Sequence, residues 1–219
     1  MTARHRAAFR ATIVMVALAG CGSSAARTAD AAVATPRPAI DRLASIARRR
    51  YSEEVNGAAV HKQLRRVAAD AVLLRALRTG DLATVRAEIH LQDNTPHAHI
   101  SRLRLVKGSR VLADAGVVFP VAPSQRALRD ARGKLLGTLQ LSIQDVIGYV
   151  KYLHRNVHVD VVVRGRGAGH VRTSLPAAAH AALPSTGPVT IGGRRYLGRS
   201  FSEPGLAGET LRIWILKRG

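Results

Sequence analysis

Hydrophobic residues recur every three or four positions through the first third of the chain after residue 38, and every second position through much of the remainder. The first period is that of a helix face and the second that of a strand face. Residues 39–79 are therefore predicted helical. Ile40, Leu43 and Ala47 begin an apolar stripe, Asn56-Gly57 interrupts it, and Val60, Leu64, Val67, Ala71 and Leu74 resume it. The fours and threes of that second run have the spacing of a coiled-coil seam but end after two heptads. A long helix packed on the chain's own sheet is the expectation, with a dimer helix as the alternative. Thr79-Gly80-Asp81 ends one helix and starts another: Gly80 suits the C′ position, Asp81 the next N-cap, and residues 82–91 a short second helix.

The strand period dominates from residue 97. Residues 97–106 are predicted to form a strand, with His97, His99 and Ser101 on one face. It turns at Lys107-Gly108-Ser109 into residues 110–113, and residues 114–124 read as loop. Residues 126–130 and a turn at Ala131-Arg132-Gly133 lead into the stretch 133–155, GKLLGTLQLSIQDVIGYVKYLHR, where the period switches from two to three and four. Its strand puts Leu135, Leu139, Leu141, Ile143 and Gly137 on one face, and Leu136, Thr138, Gln140 and Ser142 on the other. At Gly137 the missing side chain admits another backbone or a ligand. Val146, Tyr149, Val150 and Leu153 then form a helix face. Ser142 or Gln144 can cap that helix, Asp145 suits its first turn, and Lys151, His154 and Arg155 suit its negative C-terminal end. Further on lie a β-branched strand at 157–163, a Gly-rich loop at 165–169 and a short extended piece at 171–174. An Ala-rich helix is predicted at 176–183, and a hairpin of 189–191 with 195–202 across Gly192-Gly193. Residues 211–216, LRIWIL, close the sheet. Helices first and antiparallel strands after make an α+β fold, with residues 39–219 as a single domain.

Composition adds location. Residues 1–20 carry Arg4, Arg6 and Arg10 ahead of an apolar run at 11–19, the layout of a signal peptide and too short to span a bilayer. Leu18-Ala19-Gly20-Cys21 resembles the lipobox of bacterial lipoproteins at every position. The resemblance implies cleavage before Cys21, lipid on Cys21, and an extracytoplasmic chain anchored to the cell membrane. Residues 22–38, rich in Ala, Ser, Thr and Pro, read as a flexible tether. Cys21 is the single cysteine, so no disulfide framework forms within the chain. The formal charge is +20, and losing the three arginines of the leader leaves +17. The positive charge is scattered arginine rather than a basic–aromatic ladder, so nucleic acid is not the expected partner.

From residue 39 onward the chain resembles Cache-type extracellular sensor domains, relatives of the PAS fold. The resemblance is carried by the long leading helix, LRLVKGSRVLAD, GKLLGTLQLSIQDVIGYV with Gly133, Gly137 and Ser142, and GGRRYLGRSFS followed by LRIWIL. It implies a long N-terminal helix packed on an antiparallel PAS/Cache-like sheet. It also implies a pocket for a small, often carboxylate-bearing ligand, and a membrane signalling partner. Such domains usually feed an output module, and no segment of this sequence reads as one.

Candidate ligand residues are Arg104 (or Arg102) on the first strand, Tyr149, Lys151, Tyr152 and His154 on the helix of the central stretch, and Arg195 and Tyr196 on the late hairpin. Arginine pairs bidentately with a carboxylate, and tyrosine donates from a partly apolar wall. His97 and His99, with His158 and Asp160 as further donors, have a spacing that binds zinc or copper. They lack a third ligand at fixed spacing, so no metal or other cofactor is expected. A His97/His99 metal-binding lipoprotein remains an alternative, as does an interaction or structural lipoprotein with no ligand. No nucleophile elbow, P-loop, HExxH or paired carboxylates occur, which argues against an enzyme.

Overall fold

The computed structural model describes residues 37–219 except 96, 97 and 168. The leader, Cys21 and His97 lie outside the described residues. The helical third is broken into α1 (Arg37–Asn56), α2 (Ala58–Ala68), α3 (Ala71–Thr79) and α4 (Leu82–Asp93). The break between α2 and α3 resets the helix phase. Asp70 accepts a hydrogen bond from Leu73 N at 2.8 Å and N-caps α3. The stripe of Val60, Leu64 and Val67 therefore continues through Leu73 and Leu77, while Ala71 is exposed and Leu74 only partly buried. Gly80, in the left-handed conformation, and Asp81, accepting from Thr84 N at 3.1 Å, end α3 and start α4 as their residue types predict.

The strands form two main sheets, not one. β1 (Arg102–Lys107), β2 (Arg110–Gly116), β4 (Ser124–Arg129) and β5 (Leu135–Ser142) make an antiparallel sheet in the order β2-β1-β5-β4. Helices α2, α3 and α4 cover one face of it, burying Leu103, Leu105, Leu139 and Leu141. β7 (Asp160–Arg164), β8 (Val171–Thr173), β9 (Thr186–Ile191), β10 (Arg194–Pro204) and β11 (Thr210–Arg218) make the second, also antiparallel, in the order β8-β7-β11-β10-β9. One of its faces packs on α1 and on α5 (Val146–Asn156) around Ile40, Ala47, Tyr51, Tyr149, Leu153, Val161 and Ile213. The long leading helix thus packs on the chain's own sheet, and its outward residues, such as Asp41, Arg42, Ser45 and Arg49, are polar. The other face buries Trp214, Tyr196 and Ile191 beneath residues 175–184.

A two-stranded ribbon joins the two halves: β3 (Pro120–Val121), in what reads from sequence as loop, pairs with β6 (Gln144–Asp145). Ser142, fully buried, donates its hydroxyl to Val121 O and accepts from Gln144 N at 3.2 Å. That occupation leaves α5 to be capped by Asp145, which accepts from Gly148 N. In β5 the register shifts opposite Leu128/Arg129, so Leu136 turns into the core and Leu135 is 45% exposed, the reverse of the simple alternation. Gly137 meets Val106 O, which a Cβ there would approach to 2.9 Å. The predicted strand from residue 97 begins only at Arg102. The helix predicted at 176–183 shrinks to a single 3₁₀ turn, Pro176–Ala178. Arg164 Nη2 donates to the carbonyls of Ala178 and Ala181 at 2.9 and 2.7 Å, taking acceptors that a longer helix would use.

Candidate functional site

The face of the first sheet opposite its helices is polar. Asp114, Arg104, Gln140 and Gln125 lie directly across from one another on four neighbouring strands. Arg102, two residues before Arg104, donates from Nε to Asp114 Oδ1 at 2.7 Å and from Nη1 to Val117 O at 2.5 Å. Its hydrogen bond to Asp114 raises the pKa of the guanidinium above even the ordinary arginine range. Arg104 Nε is 3.7 Å from Asp114 Oδ2, beyond hydrogen-bonding distance. Arg104 Nε and Gln140 Oε1 are both buried without a hydrogen-bond partner among the described residues.

Asp114 and Arg104, with Arg102 beside them, form one wall of a cleft of about 620 Å³. The facing wall comes from the loop after β7, with Arg166, Gly167 and His170, and from the turn between β10 and β11, with Leu206, Ala207 and Glu209. Glu209 organises that wall. Its carboxylate accepts from Arg166 N and lies 2.9 Å from His170 Nδ1, and the His170 ring stacks on Phe119 at 4.5 Å. The Arg166 guanidinium has no ion-pair partner among the described residues. Against three arginines stand two carboxylates, both already engaged, so the cleft carries one uncompensated positive charge. A second cleft of about 530 Å³, lined by Asn56, His61, Gln125 and Gln140, shares Leu206 and Ala207 with the first, and the two meet at this turn.

The six ligand residues read from sequence do not converge. Arg104 lines the first cleft. Tyr149 is 1% exposed, lies in the core around α1 and α5, and donates to Ala47 O at 2.9 Å. Lys151 and His154 come together in a separate groove beside β8. Arg195 is exposed at the start of β10, where its carbonyl accepts from Gly219 N. Tyr196 is buried on the far face of the second sheet, with Trp214. Tyr152 is 40% exposed under the Arg50 guanidinium. The cleft residues that the sequence did not single out are Asp114, Arg166, His170 and Glu209. They had no local signal beyond Arg166 lying in the Gly-rich loop. His99 is exposed, and Asp160 is engaged with Ser174 Oγ at 3.0 Å. Among the described residues no group of three His, Cys, Asp or Glu is placed to hold a metal.

No protein-family model matches the chain, and no curated protein matches it. Solved structures do. The periplasmic domain of Vibrio cholerae LuxQ superposes with a TM-score of 0.52 at 12% identity, covering 82% of this chain and 100% of that domain. A selenomethionine structure of the same domain gives 0.49 at 13% identity over 82% and 98%. The ligand-binding domain of the Pseudomonas fluorescens chemoreceptor CtaA, in complex with L-alanine, gives 0.41 at 11% identity over 81% and 95%. The LuxQ superposition shows the fold. This chain is an α+β, PAS/Cache-like domain with a long N-terminal helix packed on antiparallel sheet, as the sequence resemblance implied. Among the described residues no helix is long and apolar enough to cross a membrane.

Proposed function

We propose that the chain is a lipid-anchored, extracytoplasmic, sensor-like domain that binds a small anionic molecule in the cleft around Arg104 and presents its bound state to a membrane signalling partner. The observation that carries the reading is Arg104 Nε, a buried donor at the wall of the cleft with no hydrogen-bond partner among the described residues. A buried donor left unpaired costs about 1–3 kcal/mol, and a ligand that supplies the missing acceptor recovers it. A carboxylate accepts from Arg104 and pairs with Arg166, matching the one uncompensated charge. Asp114 is held by Arg102 and Glu209 by His170, so neither carboxylate is poised as a general acid or base, and the cleft fits binding rather than catalysis. The location rests on the leader and the lipobox at Cys21. A fold shared with a domain described as periplasmic agrees with it.

Two measurements test the two halves. In a thermal-shift screen of carboxylates, amino acids, amines, nucleobases and divalent metals, a ligand at about a hundred times its Kd adds about 2.7 kcal/mol. That is a rise of roughly 5–10 °C for a domain of this size. The hit is expected among anionic compounds and is expected to vanish in Arg104→Ala. A full shift retained in that variant places the ligand elsewhere. For the anchor, Cys21→Ser is expected to abolish palmitate labelling, and unchanged labelling removes it.

A further inference from the structure

The groove beside α5 is a separate feature from the cleft. Ile147, Lys151 and Arg155 follow one another at four-residue spacing along α5 and form one ridge. Arg172 stands opposite them in the middle of β8, the edge strand of the second sheet. With Val150 and His154 they line a groove of about 370 Å³. The side chains of Lys151, Arg155 and Arg172 have no ion-pair or hydrogen-bond partner among the described residues. The acid at the groove's edge, Asp160, accepts from Ser174 Oγ at 3.0 Å and lies 3.3 Å from His154 Nδ1. The dipole of α5 accounts for cations in its last turn. It does not account for Arg172, which belongs to another element, nor for Ile147, which lies 42% exposed beside the cations. Tyr152, also on α5, is 40% exposed and carries the Arg50 guanidinium 4.7 Å above its ring.

Unpaired cations converging on a groove with an exposed aliphatic side chain at its rim match an anion joined to an apolar body. We propose that this groove binds the phosphodiester headgroup of an anionic phospholipid and seats the α5–β8 face on the bilayer. The cations meet the lipid phosphates, and Ile147 and Tyr152 meet the boundary between headgroups and acyl chains. The chain's formal charge of +20 has the sign that draws it to such a surface. The proposal needs neither an occupied cleft nor lipid on Cys21, so it stands or falls apart from the function proposed above.

The test is vesicle co-sedimentation of residues 22–219, which lack both the apolar leader and Cys21, on phosphatidylcholine vesicles with and without about 30% phosphatidylglycerol. Binding is expected only with the anionic lipid and is expected to weaken with salt. Arg172→Ala alone is expected to lose about fivefold, and Lys151→Ala/Arg155→Ala/Arg172→Ala together about 100-fold. The matched control is Arg37→Ala/Arg42→Ala/Arg49→Ala, which removes the same charge from the exposed side of α1. An equal loss in that control assigns the binding to net charge and overturns the groove. Equal binding to pure phosphatidylcholine overturns it as well. Glycerol phosphate bound at the groove without any vesicle binding assigns the site to a soluble phosphate and overturns the bilayer as its occupant.

Discussion

Tyr149→Ala is expected to lower the free energy of unfolding by about 3–5 kcal/mol, the range for emptying a buried aromatic site. The ring is 1% exposed and meets Tyr51 edge-on, with centroids 5.7 Å apart and planes at 88°. Its hydroxyl donates to Ala47 O at 2.9 Å, fastening α5 to α1 over the second sheet. Burial raises the phenol's pKa far above its ordinary value, so it remains a protonated donor throughout the working pH range. Tyr149→Phe keeps the ring and removes only the hydroxyl's bond to Ala47 O, which keeps its helical partner within α1, so it is expected to cost about 1 kcal/mol. Urea unfolding of the three proteins separates the contributions, with a constant m-value certifying that the unfolded state is unchanged. A Tyr149→Ala protein of undiminished stability that has lost its ligand would restore Tyr149 to the binding site, where the sequence alone had placed it.

Tyr149 shows which features were legible in the sequence. Its membership of a helix face was readable, because Val146, Tyr149, Val150 and Leu153 carry a local period. Whether that face met a ligand or a core was not, because the answer lies with Ala47 and Tyr51, about a hundred residues away. Local signals held elsewhere: Gly80 and Asp81 end one helix and start the next, and the α+β order follows from where the period changes. Misreadings arose where one residue changes the phase. Asp70 restarts a helix and moves the buried stripe from Ala71 and Leu74 to Leu73 and Leu77. A register shift opposite Leu128 exchanges Leu135 for Leu136. The division into two sheets was hidden for a related reason. β5 and β11 read alike, and only the pairing of β5 with β1 and β4, and of β11 with β7 and β10, assigns them to different sheets. The cleft is least legible of all. Arg104 faces Arg166 and Glu209 through the placement of two sheets, and no spacing along the chain encodes that.

Gly116 lies where fold and cleft meet, inside the segment that reads as loop, and Gly116→Ala is expected to cost about 3 kcal/mol or more. Its φ is +109°, which L side chains rarely adopt. A Cβ there would stand 2.3 Å from Ser101 O and 2.8 Å from Arg102 Cα, both backbone atoms that cannot swing aside. Gly80→Ala is the control. Gly80 also has a positive φ, +77°, but a Cβ there meets nothing within 4 Å, so it is expected to cost only about 1 kcal/mol of conformational strain. The difference between the two variants measures the close approach of the backbone at Gly116. The damage is also expected to reach the site. Val117, the next residue, donates its N–H to Ser101 O at 2.7 Å and accepts from Arg102 Nη1. Displacing Ser101 and Arg102 loosens the Arg102–Asp114 pair and moves Arg104, which shares both the strand and the Asp114 carboxylate. Gly116→Ala should therefore both melt lower and bind the cleft ligand more weakly at a temperature where it is still folded, while Gly80→Ala should melt slightly lower and bind normally. If the two variants behave alike, the approach of β1 to Gly116 sets neither stability nor the cleft, and the rigidity of the Arg102–Asp114–Arg104 wall must come from the sheet register alone.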